Sequence, residues 1–232
     1  MTSFPGAKGS RFEWRFEMLL VLLLVWLALA PIVGNGVILG LCATAVFISA
    51  VTALRESRLM RWVSWILVVI GLVALWTAEL SGRIEWVILS SALGCAFYAL
   101  MVVGILTYVY RAEIIDGNVL SAAICAYLLM GLGWTDLFMI IENADPGSFS
   151  SGSLAIGGLE GLASPRLQQS HFSYFSLVTL STLGYGDITP LKPAARNLAA
   201  LEAIIGQLFI GVLVARLVSQ QVRRDRGREK KC

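Results

Sequence analysis

Long apolar runs separated by short polar breaks dominate the chain. Six runs stand out, at residues 18–33, 36–54, 62–80, 86–110, 118–141 and 194–218. A helix needs roughly 20 apolar residues to cross the hydrocarbon core of a bilayer, and it satisfies its backbone hydrogen bonds internally, as lipid requires. The pattern therefore predicts an all-α membrane protein with six transmembrane helices, the first two separated by the turn-like break Gly34-Asn35-Gly36.

A further apolar run, residues 172–181, is too short to span a membrane. Backbone that enters the membrane without crossing it is tolerated where it lines a water-filled cavity, so this run predicts a re-entrant helix between helices five and six. The glycine- and serine-rich stretch before it, residues 142–170, predicts a flexible outer loop.

The composition excludes several classes of protein. Only 14% of the 232 residues are charged and 57% are hydrophobic, whereas soluble domains carry roughly 25% charged residues. A soluble enzyme, a disordered chain and a small disulfide scaffold are therefore excluded, and the net charge of +3 gives no reason to expect nucleic acid binding. No CxxC pair is present, so neither disulfides nor a zinc site is predicted; Cys42, Cys95 and Cys125 fit small buried hydrophobic residues.

The basic residues are distributed unevenly along the chain. If the N-terminus is cytoplasmic, 14 of the 18 Lys and Arg residues lie inside, which predicts that both termini are cytoplasmic. The inside segments are then residues 1–17, the loop with Arg55, Arg58 and Arg61, the loop at Arg111, and the end of the last helix with the tail. An alternative is a cleaved signal peptide ending at the A-x-A-like Ala28-Leu29-Ala30. Glu13, Glu17 and the apolar continuation Pro31-Ile32-Val33 argue against cleavage.

The hexapeptide Thr182-Leu183-Gly184-Tyr185-Gly186-Asp187 follows the re-entrant run directly. Its two glycines allow a backbone with φ > 0 that a β-carbon resists, and such a strand can turn successive carbonyl oxygens to one side. Four copies around an axis would form carbonyl rings that replace the hydration shell of a cation, with the Thr182 hydroxyl as a further oxygen at the inner end. A plain glycine-rich turn is the alternative. The position after a half-length helix and before a full-length one favours the ion site.

Residues 174–190, YFSLVTLSTLGYGDITP, resemble the pore helix and selectivity filter of potassium channels, most closely those of prokaryotic members. The resemblance covers about residues 118–218, and the preceding helices match the six-helix architecture of the family only in number and topology. It implies that the backbone carbonyls of four residues coordinate K⁺: Thr182, Leu183, Gly184 and Tyr185. It also implies that Gly186 permits the outer turn, that Asp187 lies at the external mouth and concentrates cations there, and that Gly206 is the hinge of the inner helix.

The filter region departs from the family pattern at several positions. Leu183 replaces the more common valine and packs differently behind the filter. Tyr174 and Phe175 stand where many relatives place two tryptophans that brace the filter tyrosine, and Phe175 has no donor for that purpose. Val178 stands where some relatives carry a glutamate.

The helices before the pore lack the charges of a voltage sensor. Residues 86–110 contain no Arg or Lys, whereas a sensor needs about three or four charges that move through the field. Residues 18–117 are therefore predicted to form a four-helix scaffold or lipid-facing domain, and the channel to be voltage-independent. The tail, residues 219–232, is too short for a regulatory domain. Its basic residues fit a positive-inside anchor or a site for anionic lipid headgroups.

Ionisable groups inside apolar helices are functional candidates. Glu202 lies four residues before Gly206 and is predicted to support the filter by a hydrogen bond, for example to Ser181, or to attract ions in the cavity. Asp136 fits an interfacial or paired role.

Three further polar residues receive positional predictions. Gln207 is predicted to face the cavity, and Arg216 to lie near the inner gate. His171 is predicted to open the pore helix near the outer surface, as a solvated residue or a pH-sensitive one.

The sequence leaves three alternatives to a selective channel. Gly184-Tyr185-Gly186-Asp187 also fits the GxGD pattern of intramembrane aspartyl proteases, which need a second aspartate; Asp136 is the only other one in the membrane, and it lacks their Tyr-Asp context. A weakly selective cation pore and a non-conducting membrane scaffold are the others. Because each chain has one filter segment and no internal repeat, the sequence predicts a homotetrameric potassium channel of a bacterial inner membrane. It is predicted to be no enzyme and to need no cofactor beyond the permeant K⁺.

Overall fold

The computed structural model describes residues 15–29, 36–53, 58–81, 83–112, 116–151 and 165–229. In chain order they form α1 (Arg15–Leu29), α2 (Gly36–Ala53), α3 (Arg58–Ser81), α4 (Ile84–Arg111), α5 (Gly117–Ala144), β1 (Phe149–Ser151), α6 (Pro165–Leu180), β2 (Ile188–Pro190) and α7 (Pro193–Glu229). Several sequence features with a prediction lie outside the described residues: Lys8, Arg11, Glu13, Ala30, the Gly34-Asn35 break, Arg55, most of the glycine- and serine-rich loop, and Cys232.

Three helices are long and apolar enough to cross a membrane within the described parts of the chain: α4, α5 and the Pro193–Arg216 part of α7. Shorter apolar stretches lie in α2 and α3, at Gly40–Ala53 and Trp62–Ala78. The predicted all-α membrane architecture agrees with these helices, and each of the six predicted runs falls within or largely overlaps one helix.

The helix α6 is longer than predicted. It begins at Pro165 rather than at residue 172, so the assignment of residues 165–170 to the outer loop is wrong, and His171 lies within the helix rather than at its start. Proline suits the first position of a helix because its missing N–H has no intrahelical partner there. The first turns of α6 are polar, and hydropathy alone does not detect such a helix start.

The outer connection is more ordered near its ends than predicted. Strand β1 pairs antiparallel with β2, with Phe149 opposite Pro190 and Ser151 opposite Ile188. The buried Glu142 carboxylate at the end of α5 accepts hydrogen bonds from the Gly147 and Phe149 amides, at 2.9 and 3.1 Å. The prediction of a flexible loop from residue 142 onward is therefore wrong up to residue 151.

The helix α7 continues to Glu229, well past the predicted end at residue 218. The apolar run marks only the part suited to lipid, whereas the helix itself extends into the basic tail. The proposed tail, residues 219–232, is thus mostly the last turns of α7 rather than a separate segment.

Two buried clusters hold the helices together, and α5 contributes to both. The first joins α1, α2, α4 and α5 around Leu19, Leu23, Phe97, Ile105 and Leu129. The second is aromatic and joins α5, β1 and α6: the Phe138 ring lies 5.1 Å from Phe175 and 5.5 Å from Phe149, measured between centroids. This second cluster fixes α6 against α5 and so positions the segment that follows α6.

Candidate functional site

The segment that follows α6, residues 182–187, has an alternating backbone. Thr182, Gly184 and Gly186 have positive φ angles of 59°, 57° and 78°, whereas Leu183 and Tyr185 between them do not. The glycines were predicted to adopt φ > 0. A β-branched residue rarely does so, at a typical cost of about 1–3 kcal/mol, and no local pattern predicted this conformation at Thr182.

The amides of this segment point back toward α6. The Leu183 and Gly184 N–H groups both donate to the Val178 carbonyl, at 2.9 and 3.3 Å. The described peptide bonds are trans, and in a trans peptide the carbonyl points opposite to the N–H of the next residue. The Thr182 and Leu183 carbonyl oxygens therefore point away from α6. Val178 supports the segment through its main-chain oxygen.

The outward face of the segment is open in the single chain. Leu183 is 55% exposed and Tyr185 is 67% exposed. These are large side chains that proteins ordinarily cover, so the carbonyl face and the side chains of this segment are both unoccupied by the chain itself.

The inner end of the segment is tied to α7 by one hydrogen bond. The Gln207 Nε2 donates to the Thr182 Oγ1 at 2.8 Å. Gln207 thus contacts the residue with the strained φ angle.

A buried carboxyl group links three helices behind the segment. Glu202 is fully buried, and its Oε1 lies 2.5 Å from the Ser176 Oγ. The same Oγ lies 2.7 Å from the Gly131 carbonyl oxygen. A serine hydroxyl has one proton, so both contacts are hydrogen bonds only if the Glu202 carboxyl carries a proton and donates to Oγ.

The predicted partner of Glu202 is wrong. Ser181 instead donates to the Val178 carbonyl at 3.3 Å, whereas Ser176, one turn earlier on α6, faces α7. Glu202 contacts α6 through Ser176, and this partner was missed because helix-face spacing does not specify which hydroxyl the opposing helix presents.

Gly206 marks the close approach of α7 to the end of α6. A Cβ at position 206 would overlap the Leu180 carbonyl oxygen, so only glycine lets the two backbones come together here. The helix α7 runs continuously through this position. At Gly211, by contrast, a Cβ would meet no atom within 4 Å.

Two of the predicted outer residues lie together. The Tyr174 hydroxyl and the Asp187 carboxylate lie close enough to interact. Asp187 Oδ1 also accepts from the Ile188 amide at 3.0 Å. Phe175, predicted alongside Tyr174 as a support for the filter, is instead buried in the aromatic cluster with Phe138 and Phe149.

Arg216 lies at the other end of the molecule and joins α7 to α4. Its Nη2 donates to the Tyr110 and Ala112 carbonyl oxygens at 2.9 and 3.0 Å, and its guanidinium lies 5.1 Å from the centre of the Tyr110 ring. A cation suits the C-terminal end of a helix, where carbonyls lack intrahelical partners. Sequence reasoning placed Arg216 near the inner end and did not find this partner.

The two aspartates of the protease alternative are held in different environments. Asp187 accepts a hydrogen bond from the Ile188 amide and lies near Tyr174. Asp136 lies against Gly94 of α4 and lines a cavity to which residues 182–187 do not contribute. Nothing in this arrangement forms a pair of carboxyls that shares a proton.

Comparison with known proteins identifies the class. An ion channel family model matches residues 162–222, which include α6, residues 182–187 and most of α7. This part of the chain is an ion channel domain.

Several known proteins are similar to this chain, and two of those described here are named as potassium channels. A two pore potassium channel c of Oryza sativa subsp. japonica is 36% identical over 94 residues, 40% of this chain and 17% of that protein. The inward rectifier potassium channel Kirbac3.1 of Paramagnetospirillum magnetotacticum is 31% identical over 88 residues, 38% of this chain and 23% of that protein. Protein LctB of Bacillus caldotenax is 32% identical over 99 residues, 40% of this chain and 64% of that protein.

Each match covers less than two thirds of the relative's length. Over the matched parts the chain is similar to potassium channels, and the ion channel domain together with the long apolar helices indicates a multi-pass membrane protein. The family model describes ion channels and two of these relatives are named as potassium channels, which agrees with the prediction of a non-enzymatic protein.

Proposed function

We propose that the chain is one subunit of a homotetrameric, potassium-selective channel whose filter is formed by Thr182, Leu183, Gly184 and Tyr185. The observation that carries the proposal is the backbone of this segment. Its φ angles alternate in sign, and two of its amides donate to the Val178 carbonyl, so the Thr182 and Leu183 carbonyls point away from α6.

The filter mechanism follows from these oxygens. Carbonyls of the four residues, with the Thr182 hydroxyl at the inner end, replace the water around a K⁺ ion, and ions advance by repulsion between adjacent sites. Gly186 supplies the outer turn, and Asp187 concentrates cations at the mouth. K⁺ enters this account as the permeant ion rather than as a cofactor.

Exposed surface supports the assembly of four chains. One strand of carbonyls cannot enclose an ion, so several chains must meet around an axis, and cyclic symmetry is the ordinary solution. The face of α7 that follows the filter carries exposed apolar side chains, including Leu201, Ile204 and Leu208. These and the exposed Leu183 and Tyr185 would be covered by neighbouring subunits and by lipid.

The remaining helices form the rest of a six-span subunit. We assign α1 to α4 to a membrane domain, residues 18–117, and α5 to α7 to the pore domain, residues 118–218, with α6 as the re-entrant pore helix. At about 1.5 Å per residue the 16 residues of α6 extend about 24 Å, less than the bilayer core. Both termini are assigned to the cytoplasm of a bacterial cell, where the basic end of α7 meets anionic lipid headgroups.

The channel is proposed to be voltage-independent. Within the described residues, α4 contains a single basic residue, Arg111, at its very end. A charge at a helix end lies outside the membrane field and cannot supply the gating charges that a voltage sensor moves.

The test is the reversal potential of the purified protein in a planar bilayer, with K⁺ on one side and Na⁺ on the other. A selective filter gives a value near the K⁺ Nernst potential, and Gly184→Ala abolishes selectivity because its φ of 57° disfavours an L side chain. Gly211→Ala is the matched control, since a Cβ there meets open space.

The two channel alternatives have distinct results in the same test. A reversal near zero with robust current identifies a weakly selective cation pore. Absence of current, together with absence of K⁺ binding by calorimetry, identifies a non-conducting scaffold. Either result overturns the proposal.

A further inference from the structure

A cavity of about 100 Å³ lies inside the helical bundle, and residues from each of α1 to α6 line it. None of residues 182–187 contributes to its wall. The cavity is therefore separate from the proposed ion pathway, and an inference about it does not depend on conduction.

Among the described residues, one carboxyl group lines this cavity. Asp136 of α5 is only 7% exposed and makes no hydrogen bond or ion pair within the described residues. Helix α4 accommodates it through Gly94, where a Cβ would overlap the Asp136 Oδ2. No Lys, Arg or His is among the described residues of the wall. A buried carboxyl without a partner is costly, and its presence requires an explanation.

Five aromatic residues also line the cavity within the described part of the chain. They come from four different helices and are Trp26, Phe47, Trp76, Phe97 and Tyr98. The Trp26 Nε1 is also buried without a hydrogen-bond partner in the described part of the chain. Ring faces carry negative charge density and attract a cation within about 6 Å, most strongly in a desolvated site.

We propose that this cavity binds a small organic ammonium ion, with Asp136 as its counter-ion and the aromatic rings around its alkyl groups. A purely apolar occupant would leave the carboxyl unpaired. A hard metal ion needs several oxygen ligands, and the described residues contain no group of three His, Cys, Asp or Glu that could hold a metal.

The site is connected to the pore helix. Gln169, Ser170 and Ser173 of α6 also line the cavity, and the Ser173 hydroxyl donates to the Gln169 carbonyl at 2.8 Å. An occupant therefore contacts the helix whose C-terminal end holds the 182–187 segment, which makes the cavity a place from which a ligand acts on the filter without entering it.

Calorimetry on the purified full chain in detergent, with saturating K⁺ throughout, tests the proposal with tetramethylammonium as the probe. Binding is expected, and Asp136→Asn weakens it by about tenfold or more because the isosteric amide has no charge. Trp76→Leu weakens it as well while keeping the carboxyl, so the proposal does not depend on one variant folding. Tetrabutylammonium is too large for the cavity and is expected not to bind there.

Three results overturn the proposal. Equal binding of the neutral probe tert-butanol shows that the cavity takes apolar occupants such as lipid. Loss of tetramethylammonium binding in Asp187→Asn but not in Asp136→Asn places the ligand at the outer mouth. Absence of any heat that depends on Asp136, in a variant with an unchanged melting temperature, shows that the carboxyl has no ligand of this class.

Discussion

The protonation state of Glu202 determines whether one buried contact between three helices consists of hydrogen bonds. Its carboxyl lies behind the filter segment and shares the Ser176 hydroxyl with the Gly131 carbonyl, at 2.5 and 2.7 Å. The arrangement holds α5, α6 and α7 together only in the protonated form, because the serine has one proton to donate.

We expect Glu202→Gln to keep this link, since an amide N–H₂ donates to Ser176 as the protonated carboxyl does. Glu202→Ala leaves the hydroxyl with one partner fewer and is expected to lower stability by about 1–3 kcal/mol. Thermal unfolding in detergent measures both. Glu85→Gln, at an exposed ion pair with Arg83, is the control and is expected to change little. If Gln destabilises as much as Ala, the ionised carboxylate is the required form.

Individual residues of the 182–187 segment also show which features the sequence could predict and which it could not. The two glycines of the filter were predictable because only a residue without Cβ adopts φ > 0 freely. The same conformation at Thr182, and the Gln207 amide that contacts it, were not. They depend on a contact between residues 25 apart, and no local pattern records such a contact.

At the scale of the elements, packing sets the close contacts of α7. Gly206 sits where this helix touches the Leu180 carbonyl at the end of α6, whereas Gly211 faces open space. The resemblance to potassium channels implies that Gly206 is a hinge. The structure gives the same glycine a second role, as the contact that sets the distance between the inner helix and the pore helix.

Gly206→Ala is expected to destabilise the protein by about 1–3 kcal/mol, because backbone atoms must move to relieve the overlap. Gly211→Ala is expected to be neutral or stabilising by up to about 1 kcal/mol, from helix propensity. The melting temperatures of the two variants make the comparison. A purely hinge-like Gly206 would give a stable Ala variant with altered gating, and this result would contradict the packing role.

The contact between Arg216 and the end of α4 gives a second prediction for α7. Arg216→Gln loses the cation at two helix-terminal carbonyls and the contact with the Tyr110 ring, and is expected to cost about 1–2 kcal/mol. The loss of stability in Arg216→Lys is expected to be smaller than in Arg216→Gln but not zero, because an ammonium keeps the charge and lacks the planar fork of a guanidinium. Chemical denaturation measures the differences. Arg196→Gln, at an exposed position near the start of α7, serves as the control, and an equal loss in this variant would rule out a specific link.

The hydrophobic runs predict which segments form helices more accurately than they predict the residues at which the helices begin and end. The ends of α4 and α5 differ from the predicted runs by one to three residues, since lipid-facing length and helix length coincide there. The first turns of α6, the last turns of α7 and the β1–β2 pair were missed. These elements are polar or short, so hydropathy carries no signal for them; the β1–β2 pair, for example, is held by strand pairing and lies near the ion pair of Lys192 with Asp145.

At the scale of the whole molecule, the described chain is unevenly covered. The apolar part of α7 is largely exposed, while α5 is buried on several sides. This contrast is what the proposed tetramer requires, with α5 inside each subunit and α7 around the shared axis.

The stability of that assembly is expected to depend on K⁺. Ions bound between four filter strands stabilise the folded tetramer by mass action, by about 1.4 kcal/mol for each tenfold rise in concentration above the dissociation constant for one site. Melting of the tetramer, followed by gel mobility in K⁺ or in Na⁺, measures the effect. Gly184→Ala is expected to flatten the K⁺ dependence, and equal protection by Na⁺ would argue against a selective filter.

The length of α7 has a mechanical consequence. From Gly206 to Glu229 the helix continues without a break, a distance of about 35 Å at 1.5 Å per residue. Gly206 lies close to the end of α6, beside the proposed filter. A tilt of about 10° at Gly206 would move the far end of the helix by about 6 Å over this length. In the proposed tetramer, small forces applied to this far end by headgroups or by a neighbouring subunit would act with a long lever arm and produce a larger torque at the proposed pore.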